Sequence, residues 1–132
     1  MDAQQLQHYA DKLAYEIDSA DLALAVANAE RIIIVDARSR EAYAHEHIPG
    51  AINLPHRAMD TDAVAGMDRD ALYVSYCDGI GCNASTKGAY RLAQLGFTVK
   101  ELIGGLDWWK RDGHPTAGAV GHDTVGSINC GC

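Results

Sequence analysis

An α/β domain built on a parallel sheet is predicted by three features of the 132-residue chain. Ile32-Ile33-Ile34-Val35 is an unbroken β-branched run. Such a run suits a strand covered on both faces, as in parallel sheets, whose crossover helices lie on either side. Stretches of strand character alternate with stretches of helical period along the chain, the order that βαβ units produce. Residues 72–95 then read as strand, loop and helix in direct succession. Leu72 to Tyr76 is apolar and aromatic, and Cys77 to Asn83 holds two glycines, an Asp and an Asn. Ala84 to Leu95 places Ala89, Leu92 and Ala93 one turn apart, before a terminating Gly96.

Taken in order, residues 4–30 are expected to be helical. Leu6, Tyr9, Leu13 and Ile17 recur at helical spacing, and Leu22, Leu24 and Val26 mark a second helix capped by Ser19 or Asp21. Asp36-Ala37-Arg38 follows the first long strand, at the carboxyl end where open α/β sheets bind ligands. Ser39 is placed to cap a short helix through Glu41, Ala42 and Tyr43. Ile48-Pro49-Gly50 signals a turn, and Ala51 to Leu54 a short strand stopped by Pro55. Arg57 to Asp70 is polar and acidic and is expected to be a solvated linker, since the spacing of an EF-hand is absent. Val99 to Ile103 predicts a further strand. Gly104-Gly105 leads into a short helix, Leu106 to Arg111, with one or both of Trp108 and Trp109 closing the core.

Composition narrows the function. Hydrophobic content of 48% and charged content of 22% are ordinary for a globular domain with a core. A formal charge of −7 with no basic run argues against nucleic-acid or anionic-membrane partners. No apolar stretch approaches a membrane span, and the polar start Met1 to Gln5 has no signal-peptide pattern, so a cytoplasmic protein is expected. The four cysteines, 77, 82, 130 and 132, are too few and too clustered for a secreted disulfide scaffold. In a reducing compartment they point to redox chemistry, sulfur chemistry or metal. Cys77 is the strongest single candidate. A cysteine where a strand runs through a loop into a helix sits near free N–H groups and the positive dipole end, which lower a thiol pKa. The same cysteine also fits a small buried hydrophobe.

Several pieces line up with a known family. Val35-Asp36-Ala37-Arg38, Glu41-Ala42-Tyr43, His47 to Pro55, Tyr76-Cys77, and Gly104-Gly105 with Trp109 resemble the rhodanese-like domain in order and spacing, over residues 19–115. The resemblance implies an α/β fold with a central five-stranded parallel sheet flanked by helices. Residues 1–18 would form an N-terminal helical extension and 116–132 a flexible Gly-rich tail ending Cys-Gly-Cys. It further implies a single-domain sulfurtransferase that moves sulfane sulfur from a thiosulfate, persulfide or polysulfide donor to a thiol or cyanide acceptor. Cys77 occupies the family's nucleophile and persulfide-carrier position. Asp36, Arg38, Glu41 and His47 match positions that mainly hold the fold around the site. The common family loop carries an arginine and then a serine at the helix start. This loop is longer, contains Cys82, and offers no Arg or Lys before Lys87. It resembles a subgroup with a Tyr-Cys-x-Gly-x-x-Cys-Asn loop.

The chemistry needs a thiolate, a cradle for an anionic sulfur, and access. Cys77 supplies the first. The backbone N–H groups of Asp78, Gly79, Ile80, Gly81 and Asn83 are the candidate cradle. Cys82 has three readings: a resolving thiol that forms a disulfide with Cys77, the sulfur carrier itself, or a packing residue. A phosphatase is disfavoured because Asn83 stands where an arginine would grip phosphate. A non-catalytic regulatory or binding module is the alternative. A four-thiolate metal site from Cys77, Cys82, Cys130 and Cys132, joined by His114 or His122, has loose spacing, so no metal and no cofactor are expected. Expected partners are a small-molecule or protein sulfur donor and a thiol acceptor, with a monomer or homodimer as the assembly. The acidic surface and Asp78 predict poor use of thiosulfate, a dianion, relative to a persulfide donor.

Overall fold

The computed structural model describes residues 1–123. Its sheet has five strands in the order β1-β5-β4-β2-β3: β1 (Glu16–Ile17), β2 (Ile32–Asp36), β3 (Ile52–Asn53), β4 (Leu72–Tyr76) and β5 (Thr98–Leu102). Every pairing is parallel. The helices are α1 (Ala3–Tyr15), α2 (Ser19–Ala27), α3 (Arg40–His45), α4 (Ala84–Gln94) and α5 (Gly105–Arg111).

Strand side chains alternate between faces, so the central strands divide the core in two. Ile34, Val74 and Tyr76 meet Leu22 of α2 and Leu106 and Trp109 of α5 on one face. Val35 and Tyr73 meet Met59, Val64, Leu92 of α4 and Phe97 on the other. Close docking of α4 depends on Gly88. A Cβ there would lie 2.9 Å from the Ser75 hydroxyl and 3.1 Å from both Ala37 Cβ and Met59 Cε.

The structure corrects the sequence reading at four places. Ile17 leaves the helical register and forms β1, pairing with Leu102. Consequently the Leu6, Tyr9 and Leu13 stripe of α1 is exposed, and α1 buries none of its residues. The cap of α2 is Asp18, whose carboxylate accepts from the Asp21 N–H at 2.8 Å, rather than Ser19 or Asp21. The acidic stretch after Arg57 is more than a solvated linker: its carboxylates are on the outside, but Met59 and Val64 are core residues. Finally, the segment after Pro115 does not leave the domain at once. Ala117 forms an antiparallel bridge with His47, and the N–H groups of Ala119 and Val120 donate to Ala44 and His45. Among the described residues no helix is long and apolar enough to cross a membrane.

Of the two tryptophans, Trp109 alone closes the core. It is 4% exposed and its indole N–H donates to the Pro115 carbonyl at 2.7 Å, whereas Trp108 is 46% exposed beneath Arg111. Trp109→Ala is expected to cost about 3–5 kcal/mol by aromatic truncation in a core. Trp108→Ala is expected to cost less than about 1 kcal/mol. Urea midpoints compare them directly, and equal losses would contradict the assignment.

Candidate active site

The site lies where the chain reverses its direction across the sheet. From β2 the connection goes outward to β3, and the next returns to place β4 on the other side of β2. Loops leaving adjacent strand ends in opposite directions open a crevice, the usual ligand position in such sheets. Asp36 and Tyr76 are register partners at those two ends. The segments that follow them, Ala37-Arg38 and Cys77 to Asn83, therefore face each other.

A buried charge network joins them. Arg38 donates from Nε to Asp36 Oδ1 at 2.9 Å and from Nη2 to Asp36 Oδ2 at 2.7 Å, a two-pronged pair inside the fold. Its Nη2 also donates to the Glu46 carbonyl at 2.6 Å, and its Nη1 to Asp78 Oδ1 at 2.8 Å. The Tyr76 hydroxyl donates to Asp36 Oδ2 at 2.8 Å and accepts the Ile48 N–H at 3.1 Å. Burial opposes the charge on Arg38, but the hydrogen bonds to Asp36 and Asp78 outweigh it and push its pKa further up. Burial, with the Asp36 charge beside it, likewise pushes the Tyr76 phenol up, so it stays a donor.

The cysteine loop is held from the opposite side by α5. Leu106 N–H donates to the Cys77 carbonyl at 2.9 Å and Asp107 N–H to the Asp78 carbonyl at 2.8 Å. The free N–H groups at this helix start are thus satisfied by the loop itself. Gly105 permits the approach. Its φ is +57°, and a Cβ on it would stand 2.9 Å from the Gly79 nitrogen and hard against the Cys77 carbonyl. Beyond this base the loop turns through a Cys82 N–H to Gly79 carbonyl bond of 3.2 Å. Ile80 at the tip is 84% exposed. Among the described residues, the N–H groups of Gly79, Ile80, Gly81 and Asn83 meet no protein acceptor, and Asn83 caps α4 without a side-chain hydrogen bond.

Cys77 and Cys82 are joined by a disulfide, with Cα atoms 6.2 Å apart. Cys77 is 1% exposed, while Cys82 is part-exposed. In this state neither sulfur is a thiolate, and Cys77 is a shielded half-cystine in the disulfide that is one of the three sequence readings of Cys82. Asp78 lies close enough to both sulfurs for a three-donor cluster, but sulfurs bonded to each other are not thiolate ligands. Cys130 and Cys132 lie outside the described residues. The loop separates two cavities. One of about 250 Å³ is lined by Cys82, Ser85, Thr86, Glu101 and Glu16. The other, of about 290 Å³, is lined by Arg38, Asp78, Asp107 and Lys110.

Asp78 and Glu41 depart from the sequence reading, and Glu46 is missing from it. Asp78, 71% exposed, faces Arg38 through its side chain, so the loop is not without a nearby cation. Nothing in the local sequence links positions 38 and 78. Glu41 is exposed in the first turn of α3 and has no partner among the described residues; the buried glutamate is Glu46. Glu46 accepts from Lys110 at 2.8 Å and from the Thr116 hydroxyl at 2.7 Å, pinning the segment after Pro115. Its place directly before His47 carried no separate signal. His47 stacks on Tyr43 at 3.7 Å between ring centroids, and Nδ1 lies 2.7 Å from the Tyr43 carbonyl. Nε2 of His114, which meets no partner among the described residues, is buried beside Trp109, away from the cysteine loop.

Comparison with known proteins agrees with this geometry. The model of the rhodanese-like domain family matches residues 19–112. A sulfurtransferase of Allochromatium vinosum is 31% identical over 106 residues, covering 80% of this chain and 97% of that protein. An HTH-type transcriptional regulator of Mycobacterium tuberculosis is 37% identical over 97 residues, 71% of this chain, which spans only 42% of that protein's length. The crystal structure of a Bacillus halodurans protein superposes with a TM-score of 0.86 at 41% identity, covering 89% of this chain and 87% of that one.

The Glu46 cluster makes a pH prediction. Burial would raise the Glu46 carboxyl, but the hydrogen bonds from Lys110 and Thr116 outweigh it and hold it below its ordinary value of 4.5. A carboxyl depressed in the folded state stabilises fully above its unfolded pKa, and that contribution is lost as pH falls through the folded value. Glu46→Gln is therefore expected to lower Tm at neutral pH. The gap to wild type should narrow below about pH 4.5. Thermal melts across that range provide the check, and a gap that does not change with pH would contradict it.

Proposed function

The chain belongs to the rhodanese-like domain family, and from that premise we propose that it is a sulfurtransferase whose Cys77 carries sulfane sulfur as a persulfide. The observation that carries the reading is the bonded Cys77–Cys82 pair at the carboxyl end of β4, before the start of α4. Two cysteines within bonding reach in the fold's ligand crevice form a dithiol couple, and the reduced couple supplies a nucleophile and a resolving thiol. In the cycle, the Cys77 thiolate attacks the outer sulfur of a persulfide donor, forming Cys77–S–SH and releasing the donor thiolate. The free N–H groups of Gly79, Ile80, Gly81 and Asn83 are the donors proposed to hold the anionic sulfur. Two fates follow. An external thiolate can take the outer sulfur and return Cys77 as a thiolate. Alternatively, the Cys82 thiolate attacks the inner sulfur, forming the Cys77–Cys82 disulfide and releasing hydrosulfide. The proposed setting is the cytoplasm, where thiols return the disulfide to the working dithiol.

The second reading is a non-catalytic regulatory domain, favoured by the relative named as a transcriptional regulator. In that case Cys77 and Cys82 would report sulfur or redox state without turnover.

Mass spectrometry of the reduced protein after glutathione persulfide separates the possibilities. Cys82→Ser is expected to retain one added sulfur on Cys77. Wild type is expected to release hydrosulfide and accumulate the Cys77–Cys82 disulfide, and Cys77→Ser to do neither. Sulfur transfer by Cys77→Ser at near wild-type rate would move the role to Cys82. With an excess of acceptor thiol present, a single equivalent of hydrosulfide released per protein and no continued sulfur transfer to the acceptor would favour the regulatory reading.

Donor choice follows from Asp78. Its carboxylate occupies Arg38 Nη1, the guanidinium nitrogen directed at the loop. Asp78→Asn removes a negative charge from the mouth and frees part of that cation. Thiosulfate kcat/KM is expected to rise several-fold, roughly the scale of a local charge change on association, with a smaller change for glutathione persulfide. A wild-type enzyme that prefers thiosulfate would show that the backbone donors suffice and that the charge argument is wrong.

A further inference from the structure

The disulfide offers only one of its sulfurs to an incoming thiol. Cys77 is 1% exposed, whereas Cys82 lines the cavity of about 250 Å³ on the α4 side of the loop. A thiolate entering there reaches Cys82, and Cys77 becomes the leaving group.

The remaining walls of that cavity carry one sign of charge. Glu101 Oε2 accepts from the Thr86 hydroxyl at 2.8 Å and the Ser85 hydroxyl at 3.3 Å. Its Oε1 meets no donor, and no Lys or Arg pairs with it, among the described residues. Glu16 stands on the same wall, its charge shared with Lys12 at 3.1 Å. Among the described residues no basic side chain lines the cavity. A free carboxylate oxygen in a cleft that also opens on the reactive sulfur is suited to a thiol bearing its own ammonium.

We propose that the thiol resolving the Cys77–Cys82 disulfide is a small aminothiol, its ammonium held by Glu101 while its sulfur attacks Cys82 Sγ. The first thiolate forms a mixed disulfide on Cys82 and expels the Cys77 thiolate. A second thiolate attacks the mixed disulfide, releasing the symmetric aminothiol disulfide and the Cys82 thiolate. Two aminothiols thereby lose two protons and two electrons, and the protein disulfide gains the electrons. The sulfur-transfer reading enters only as the source of the disulfide, so oxidised protein prepared directly suffices for the test.

The test measures the reduction rate of oxidised wild type and Glu101→Gln by cysteamine, mercaptoethanol and mercaptopropionate, which are cationic, neutral and anionic. Each rate is divided by the same thiol's rate toward bis(hydroxyethyl) disulfide, which removes intrinsic nucleophilicity. Unit charges roughly 5 Å apart in a water-like dielectric change a rate by about fourfold in each direction. Wild type is therefore expected to rank cysteamine above mercaptoethanol above mercaptopropionate by about that factor at each step. Glu101→Gln should compress the ranking, and so should about 0.5 M salt on wild type, which requires no variant to fold. Peptide mapping of the acid-quenched mixed disulfide should place the adduct on Cys82. Equal normalised rates, a ranking unchanged in Glu101→Gln, or an adduct on Cys77 would overturn the proposal. None of these outcomes bears on persulfide formation, so a failure here is distinguishable from a failure of sulfur transfer.

Discussion

The buried pair of Asp36 and Arg38 is the constraint on which the site depends. Ions taken out of water persist only when geometry and further hydrogen bonds satisfy them, and removing one partner costs about 3–5 kcal/mol. Here the remaining valences are filled from four directions: Tyr76 on β4, the Glu46 carbonyl after α3, the Arg38 backbone N–H, and Asp78 in the cysteine loop. Satisfying one ion pair thus brings β2, β4, the end of α3 and the loop into a single arrangement. Tyr76 directly precedes Cys77, so its hydrogen bond to Asp36 also places the Cys77 backbone.

The loop is fixed at its base and open at its tip. Arg38 holds Asp78 from the β2 side, while the first N–H groups of α5 hold the Cys77 and Asp78 carbonyls from the other. From there to Cys82 the Cys82–Gly79 turn is the one backbone hydrogen bond among the described residues, the disulfide ties the far end back to Cys77, and Ile80 stands in solvent. A rigid base keeps the two sulfurs within reach of each other, and the spare N–H groups of the tip remain available to a ligand. Positioning of this kind suits the proposed transfer of sulfur, where misplacement by about 1 Å is costly.

Charge around the loop is partitioned in a way that local composition does not suggest. Arg38 and Lys110 both line the cavity on the Asp78 side, yet each is already engaged with a carboxylate. On the Cys82 side the carboxylate of Glu101 is held by hydroxyls that leave its charge in place. An anion approaching the loop therefore relies on backbone donors, while a cationic group finds the Glu101 oxygen that meets no partner among the described residues.

Sequence by itself determined the parts that depend on neighbours along the chain. The β-branched run of β2, the β4–loop–α4 succession, the Ser39 cap and the end of α4 near Gly96 are local patterns of period, branching and capping, legible within a dozen residues. The motifs spread from Val35 to Trp109 were enough to indicate the family and to single out Cys77. The tertiary structure decided what distant residues settle between them. Arg38 and Asp78 are 40 positions apart, and Glu46 and Thr116 are 70 apart. Ile17 becomes a strand because β5 offers it an edge, and Met59 and Val64 become core because α4 and the sheet leave room beneath an acidic surface. The sequence leaves Cys82 among three roles, and only the loop's fold brings its sulfur within bonding distance of Cys77. Ion pairs, edge pairing and disulfide reach are properties of proximity in space, and proximity between distant residues is written in no single stretch of the chain.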